Sequence, residues 1–311
     1  MNVLSLFNGM SFCRMALDTL DVPVTKYYSS EIDKYANQAA QALFPDTIQL
    51  GDVIRWRDWD VDWASIDLVT GGFPCQAWSM AGKQLGDKDE RGMLFWTMLD
   101  IIKHVKYLNP KADFMLENVK MKKEFEEYIT THTENALGKV HKVLINSALV
   151  SAQNRNRYYW TSFAVNQPVD KGVLLIDIIE SGVVDQSKSY CIDANYYKGG
   201  NLKSYFEKHR RQLVFMKQIP RGFNKGFNKP VAKSPTIGSS SWQHNNHISN
   251  DGIEYRKLTV KECFRLQTVP KHHIDTLLNA GISNTQLYKM CGNGWTHDVI
   301  THIFKDLTKG E

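Results

Sequence analysis

Two rhythms of hydrophobic and polar positions alternate along the first half of the chain. Residues 3–7 and 66–70 are short apolar runs and residues 26–30 are strand-like, while residues 12–20, 33–44 and 93–105 carry apolar side chains at helical spacing. Residues 114–116 read as a brief strand that stops at the polar pair Glu117-Asn118. The turn Asn8-Gly9-Met10-Ser11 separates the first strand from the first helix, so a βαβ unit starts at residue 3. Alternation of this kind predicts an α/β fold, a mostly parallel sheet covered by helices on both faces. Ligands of such sheets bind beyond the carboxyl ends of the strands, which makes the polar and glycine residues after each strand the place to look for chemistry.

From about residue 166 to 255 the alternation breaks down. Gly199-Gly200, Pro220, Gly222, Gly226, Pro230, Pro235 and the run Gly238-Ser239-Ser240-Ser241 divide this stretch into short pieces, which predicts a second, smaller, loop-rich domain. Helical patterns return at 259–266 and 296–307 and are expected to pack back on the first domain.

Composition narrows the class. At 311 residues the chain can bury a substantial core. Apolar runs such as Val173-Leu174-Leu175-Ile176 fall far short of the roughly 20 residues that cross a bilayer, so no membrane partner is expected. The amino terminus has no secretory pattern, which points to the cytoplasm. Five cysteines without CxxC spacing fit neither a disulfide framework nor a zinc ribbon, and four of them, Cys13, Cys191, Cys263 and Cys291, stand in no motif and read as inert structural thiols. His104, His244, His247 and His297 have no ligand spacing either, and no metal is expected.

The net charge of +5 is small but unevenly placed. Residues 171–250 hold 12 Lys and Arg against 5 Asp and Glu, a net +7, leaving −2 for the rest of the chain. Residues 208–250 contain Lys208, Arg210, Arg211, Lys217, Arg221, Lys225, Lys229 and Lys233, interleaved with Phe215, Phe223, Phe227 and Trp242, and no carboxylate. Such a mixture neutralises phosphates while aromatic faces pack on sugar or base; a solvated basic loop is the competing reading.

Candidate chemistry begins at Gly71-Gly72-Phe73-Pro74-Cys75-Gln76-Ala77-Trp78-Ser79. A cysteine after a glycine turn and a φ-restricting proline, at the end of a parallel strand, is presented to the ligand crevice and suits a nucleophile. Glu117-Asn118-Val119 ends the next strand in the same crevice, where it could supply an acid to a substrate that Cys75 attacks. In Gln153-Asn154-Arg155-Asn156-Arg157 the two arginines, two apart, share one face if the segment is extended. Glu31 follows the second strand, where a dinucleotide fold binds ribose, and Asp52 in Gly51-Asp52-Val53 suits an adenine amine. Singly these are ordinary carboxylates; together and in order they outline a nucleoside-shaped pocket.

These segments are similar, in order, to the motifs of the DNA cytosine-5 methyltransferases. The matches are Phe7-Asn8-Gly9, Glu31, Gly51-Asp52-Val53, Pro74-Cys75-Gln76 with Ser79, Asp89 to Phe95, Glu117-Asn118-Val119, Gln153 with Arg155 and Arg157, Arg256-Lys257-Leu258-Thr259 through Glu262, Arg265-Leu266-Gln267 with Pro270, and Gly292-Asn293-Gly294. The stretch between Arg157 and Arg256 shares no motif, as expected of that family's variable target-recognition region, and it contains the basic segment. The chain departs from the family at Ser11, where a second glycine is usual, and at Gly294-Trp295, where a small residue and valine are usual.

The resemblance implies a Rossmann-like S-adenosylmethionine-dependent methyltransferase sheet with a target-recognition domain. Residues 1–165 completed by 279–311 would form the catalytic part, and 166–278 the recognition domain and hinge. Cys75 would add to C6 of a flipped-out cytosine in double-stranded DNA, while Glu117 donates a proton or hydrogen bond to N3. Arg157 would meet the cytosine O2, Arg155 would help hold Cys75 and the base, and Asn118 and Pro74 would position the ring. Phe7, Gly9, Glu31, Ile32, Asp52 and Asn293 would hold S-adenosylmethionine, released as S-adenosylhomocysteine. Gln76, Ser79 and Lys83 would face DNA, with Lys83 in a closing loop over residues 81–88, as would Arg210, Arg211, Arg221, Lys225 and Lys229. A monomer of the compact bacterial or phage type, with a cognate restriction endonuclease as candidate partner, completes the expectation. The family's RNA-methylating branch, acting on tRNA, shares this chemistry; a non-catalytic DNA-binding relative would not need Cys75, Glu117 and Arg157 intact.

Overall fold

The computed structural model describes residues 1–74, 90–215, 247–248 and 254–307. A seven-stranded sheet forms the centre, built from β1 (Asn2–Leu6), β2 (Lys26–Ser30), β3 (Ile48–Gln49), β4 (Leu68–Gly71), β5 (Asp113–Val119), β6 (His141–Asn146) and β7 (Asn156–Thr161). Its order is β3-β2-β1-β4-β5-β7-β6. The first five strands run parallel, with Val3 opposite both Tyr27 and Leu68. β7 runs antiparallel to both of its neighbours and closes one edge with β6.

Strand neighbours alternate between two cores, as period-two geometry requires. Val3, Leu68 and Met115 face one side, with α1 (Phe12–Thr19) and the last helix, α9 (His297–Leu307), packed over them through Cys13, Leu17, Ile300, Ile303 and Phe304. Leu4, Val69, Phe114 and Leu116 face the other, against Phe95, Met98 and Ile102 of α3 (Glu90–Leu108) and Ile129 of α4 (Lys123–Leu137). Burial on both faces is why these strands read as apolar runs. Asp33 caps α2 (Lys34–Leu43) by accepting the Tyr35 and Ala36 N–H groups, so it belongs to the cap and not to the helix.

Beyond β7 come α5 (Leu202–Lys208) and a three-stranded sheet, β8 (Leu213–Phe215), β10 (Glu254–Lys257) and β9 (His247–Ile248), in the order β8-β10-β9. Three helices follow: α6 (Val260–Leu266), α7 (Lys271–Asn279) and α8 (Asn284–Asn293). Their Phe264, Leu266, Ile274, Leu277 and Leu287 join Met15 of α1 and Ala36 and Ala39 of α2 in one apolar cluster, with α7 packed on α2.

The expected end of the fifth strand needs correcting. β5 continues through Glu117 and Asn118 to Val119, and their backbones pair with Tyr159, Tyr158 and Arg157 of β7. A polar side chain does not stop a ladder when the partner strand satisfies the backbone and an opposite charge meets the side chain. Among the described residues no helix is long and apolar enough to cross a membrane.

Candidate active site

The carboxyl ends of β4 and β5 frame a crevice, and the geometry there is dense. β4 ends at Gly71 and the chain continues through Gly72-Phe73-Pro74; Cys75, with Gln76, Ser79 and Lys83, lies outside the described residues. Asn118 Nδ2 donates to the Phe73 carbonyl at 3.2 Å and so fixes the backbone just ahead of Pro74. A Cβ at Gly72 would stand 3.0 Å from both Glu117 Oε2 and Trp295 Nε1, so glycine lets this strand end lie against them without displacing either side chain.

Glu117 is only 8% exposed. Arg157 Nε lies 3.0 Å from its Oε1, and the Trp295 indole N–H donates to its Oε2 at 3.0 Å. Burial pushes the Glu117 carboxyl up; Arg157, Arg155 and the indole pull the other way without cancelling it. A carboxyl raised by burial yet held by donors is suited to hydrogen-bonding chemistry with a base.

Arg155 is buried. Its Nη1 donates to the Ile192 carbonyl at 3.1 Å and to Cys191 Sγ at 3.3 Å, and its Nη2 to the carbonyls of Gly292 and Gly294 at 3.0 and 2.7 Å. These bonds tie the start of β7 to the turn that carries Trp295. The charge of Arg155 reaches Glu117 and Arg157, but its hydrogen bonds are spent on the scaffold. The sequence reading grouped Cys191 with the inert thiols. Cys13, Cys263 and Cys291 are indeed buried, with Cys13 pushed up to about 11 by desolvation. Cys191 differs: desolvation raises its thiol, but Arg155 and Arg157 outweigh that and hold it below the usual thiol range.

At the ends of β1 and β2 a second group converges. Glu31 Oε2 accepts from the Gly9 N–H at 2.9 Å, and its Oε1 from the Ile32 and Asp33 N–H groups at 2.8 and 2.9 Å. Ile32 stands 77% exposed above it. Ser30 Oγ donates to the Gly51 carbonyl, bringing Asp52 alongside, and Asp52 caps the following 3-10 turn through the Ile54 N–H. Leu50, Gly51, Asp52, Arg55, Asp58 and Trp59 line a cavity of about 380 Å³. Phe7 adopts a positive φ of 54°, and Asn293 is exposed at the last residue of α8. A Cβ at Gly294 would lie 2.3 Å from the Phe12 ring, so Asn293 sits beside a turn packed against the first residue of α1, which follows the loop that carries Phe7 and Gly9. Apolar cover, a carboxylate and backbone N–H groups at strand ends suit a nucleoside.

Comparison with known proteins decides the family. The family model of C-5 cytosine-specific DNA methylases matches residues 1–309. The chain belongs to this family. It is 31% identical to type II methyltransferase M1.ScrFI of Lactococcus lactis subsp. cremoris, over 94% of this chain and 74% of that protein. It is 29% identical to type II methyltransferase M.NlaX of Neisseria lactamica, over 98% of this chain and 95% of that one. Among solved structures it resembles a DNMT2 variant of Spodoptera frugiperda, with a TM-score of 0.62 at 19% identity and 99% of both chains covered. A putative DNA modification methyltransferase encoded within a prophage of E. coli has a TM-score of 0.59 at 17% identity and the same coverage. Both structures share the fold.

The chain's two departures from the C-5 methylase motifs acquire physical reasons. Ser11 takes a φ of 68°, which glycine adopts freely and which costs other residues about 1–2 kcal/mol. A hydrogen bond from Asn8 Nδ2 to its Oγ at 2.9 Å, possible only with a hydroxyl, offsets part of that cost. Trp295 places its indole N–H on Glu117, a contact between residues 178 apart that no local pattern announces. Of the basic residues assigned to DNA, Arg210 pairs with Asp193 at 3.0 Å and Arg211 donates to the Gly199 carbonyl; Arg221, Lys225 and Lys229 lie outside the described residues.

Proposed function

We propose that this methylase transfers a methyl group from S-adenosylmethionine to C5 of a flipped-out cytosine in double-stranded DNA, through a covalent bond between Cys75 and C6. The observation that carries the reading is Glu117, a buried carboxyl aimed by Arg157 and Trp295 beside the strand end that leads into Pro74 and Cys75. The Cys75 thiolate adds to C6, and Glu117, hydrogen-bonded to N3, stabilises the electron pair as it moves toward C5. S-adenosylmethionine supplies an electrophilic methyl group at that carbon. Loss of the C5 proton then restores the double bond and expels Cys75. Gly9, Glu31, Ile32 and Asp52 suit the adenosine, with Phe7 and Asn293 at the edges of the same site. Residues 166–278 would form the recognition domain and hinge, with the chain acting as a monomer in a bacterial or phage-infected cell beside a restriction endonuclease.

The test is transfer of radiolabel from S-adenosylmethionine to mixed duplex DNA and, in parallel, to tRNA, followed by nucleoside digestion. Label in 5-methylcytosine from DNA is expected. Label in N4-methylcytosine or N6-methyladenine, in tRNA alone, or nowhere would overturn the proposal. If the basic segment meets phosphates, DNA affinity should also drop by about tenfold for each doubling of salt when four phosphates are neutralised. A flat response in a filter-binding titration would assign that segment to solvent.

A further inference from the structure

Among the described residues Glu117 has two side-chain donors, one charged and one neutral. Arg157 holds Oε1 from the neighbouring strand β7; Trp295 holds Oε2 from the turn after α8. Each carboxyl oxygen has more than one hydrogen-bonding site, so beside these two bonds the group can still carry the proton that a donor to N3 needs. The indole itself is fixed from both sides along the chain. Arg155 grips the carbonyls of Gly292 and Gly294 immediately before it, while Thr296 immediately after it is bonded to Ser147 Oγ at 2.8 Å and Gln267 Oε1 at 2.9 Å. Gly72, without a Cβ, leaves the path between the indole and the carboxyl open. A donor held this firmly imposes an orientation instead of following one.

We propose that Trp295 is a positioning residue for Glu117, its indole N–H fixing the plane of the carboxyl so that the remaining site, which carries the proton donated to N3, faces the bound base. Arg155 acts one step behind it, holding the turn that aims the ring. The inference rests on the catalytic role proposed for Glu117, and it assigns the Gly294-Trp295 departure a function: a neutral donor in place of an aliphatic side chain.

Two properties separate positioning from packing. An N–H donated to a carboxylate favours the ionised form, so removing it must raise the pH at which Glu117 ionises. The other groups acting on this carboxyl, Arg157 and Arg155 on the β7 side with Tyr159 beside it on β7, stay in place when Trp295 changes. Orientation enters at the transition state, so kcat should fall while the KM for S-adenosylmethionine holds.

The experiment uses the full chain with Trp295→Phe and, in case phenylalanine leaves a packing defect, with benzothienylalanine introduced at position 295 by nonsense suppression, which puts sulfur where the N–H was. The carboxyl infrared band of Glu117, identified by its loss in Glu117→Gln, is titrated in the free protein. Both variants are expected to ionise Glu117 at higher pH than wild type and to lose about tenfold in kcat, with KM for S-adenosylmethionine within about twofold. An unchanged titration in both, or an unchanged kcat, would overturn the proposal. A wild-type protein that makes no 5-methylcytosine would instead sink the reading of the site, while the titration would still decide whether Trp295 governs Glu117.

Discussion

Cys75→Ser is expected to abolish methyl transfer, by at least about 10⁴-fold in kcat, while leaving S-adenosylmethionine binding within about twofold of wild type. Cytosine C5 is a weak nucleophile, and the proposed route makes it reactive only through addition at C6. A serine hydroxyl, far less acidic than a thiol, offers almost no anion near neutral pH, and nothing among the described residues beside Pro74 is placed to deprotonate it: Glu117 is occupied by Arg157 and Trp295, and its burial favours keeping a proton over removing one. A loss of about 10⁴ corresponds to roughly 5.5 kcal/mol of barrier, within what covalent catalysis supplies. Gly9, Glu31 and Asp52, proposed above to hold the adenosine, follow β1, β2 and β3, strands other than the one leading to Cys75, so calorimetric titration with S-adenosylmethionine should barely change. Serine retaining a tenth of the rate would remove the covalent step from the mechanism; loss of cofactor binding would move Cys75 out of the base pocket.

How far the sequence carried the fold follows from the range of the interactions involved. β2 matches its expected bounds of residues 26–30, and β1, α1, α2 and β4 lie within two residues of theirs, because short-range periodicity records burial on a two-sided sheet. The carboxylate at Glu117 and the arginine at Arg157 were legible because each borders a run of apolar or aromatic residues within its strand. Their pairing was not, since it depends on β7 lying antiparallel beside β5, which periodicity does not specify. Arg155 illustrates the same limit from the other direction. Its spacing from Arg157 suggested a common face toward a ligand, yet most of its hydrogen-bonding capacity is spent on carbonyls of residues 192, 292 and 294, far along the chain. Cys191 looked inert because a thiol's acidity is set by its neighbours in space, and both of its arginines come from β7 and the turn before it. Long-range polar contacts are where a single sequence is least informative, and this site is built from them.

Breaking the Arg256–Glu262 pair is expected to cost about 3–5 kcal/mol of stability, read as a lower midpoint in urea with an unchanged slope. The side chains are 1% and 0% exposed and meet fork to fork, Nη1 to Oε2 and Nη2 to Oε1, both at 2.7 Å. Glu262 Oε2 also accepts from the Thr259 N–H, completing the capping box that starts α6, and its Oε1 from the Glu180 N–H. Arg256 Nη2 reaches the Ser181 carbonyl at 2.7 Å. The pair therefore ties β10, the start of α6 and the segment at 180–181 into one joint, between the small sheet and helices that share an apolar cluster with α1 and α2. In Glu262→Ala the guanidinium stays buried without a counter-charge, which is the source of most of the loss. Removing both charges distinguishes this from simple contact counting: Arg256→Met with Glu262→Leu should recover all but about 1–2 kcal/mol, the remainder being the lost cap and the unpaired Glu180 N–H. A double variant as unstable as Glu262→Ala would show instead that the ion pair itself, and not the stranded charge, holds the joint.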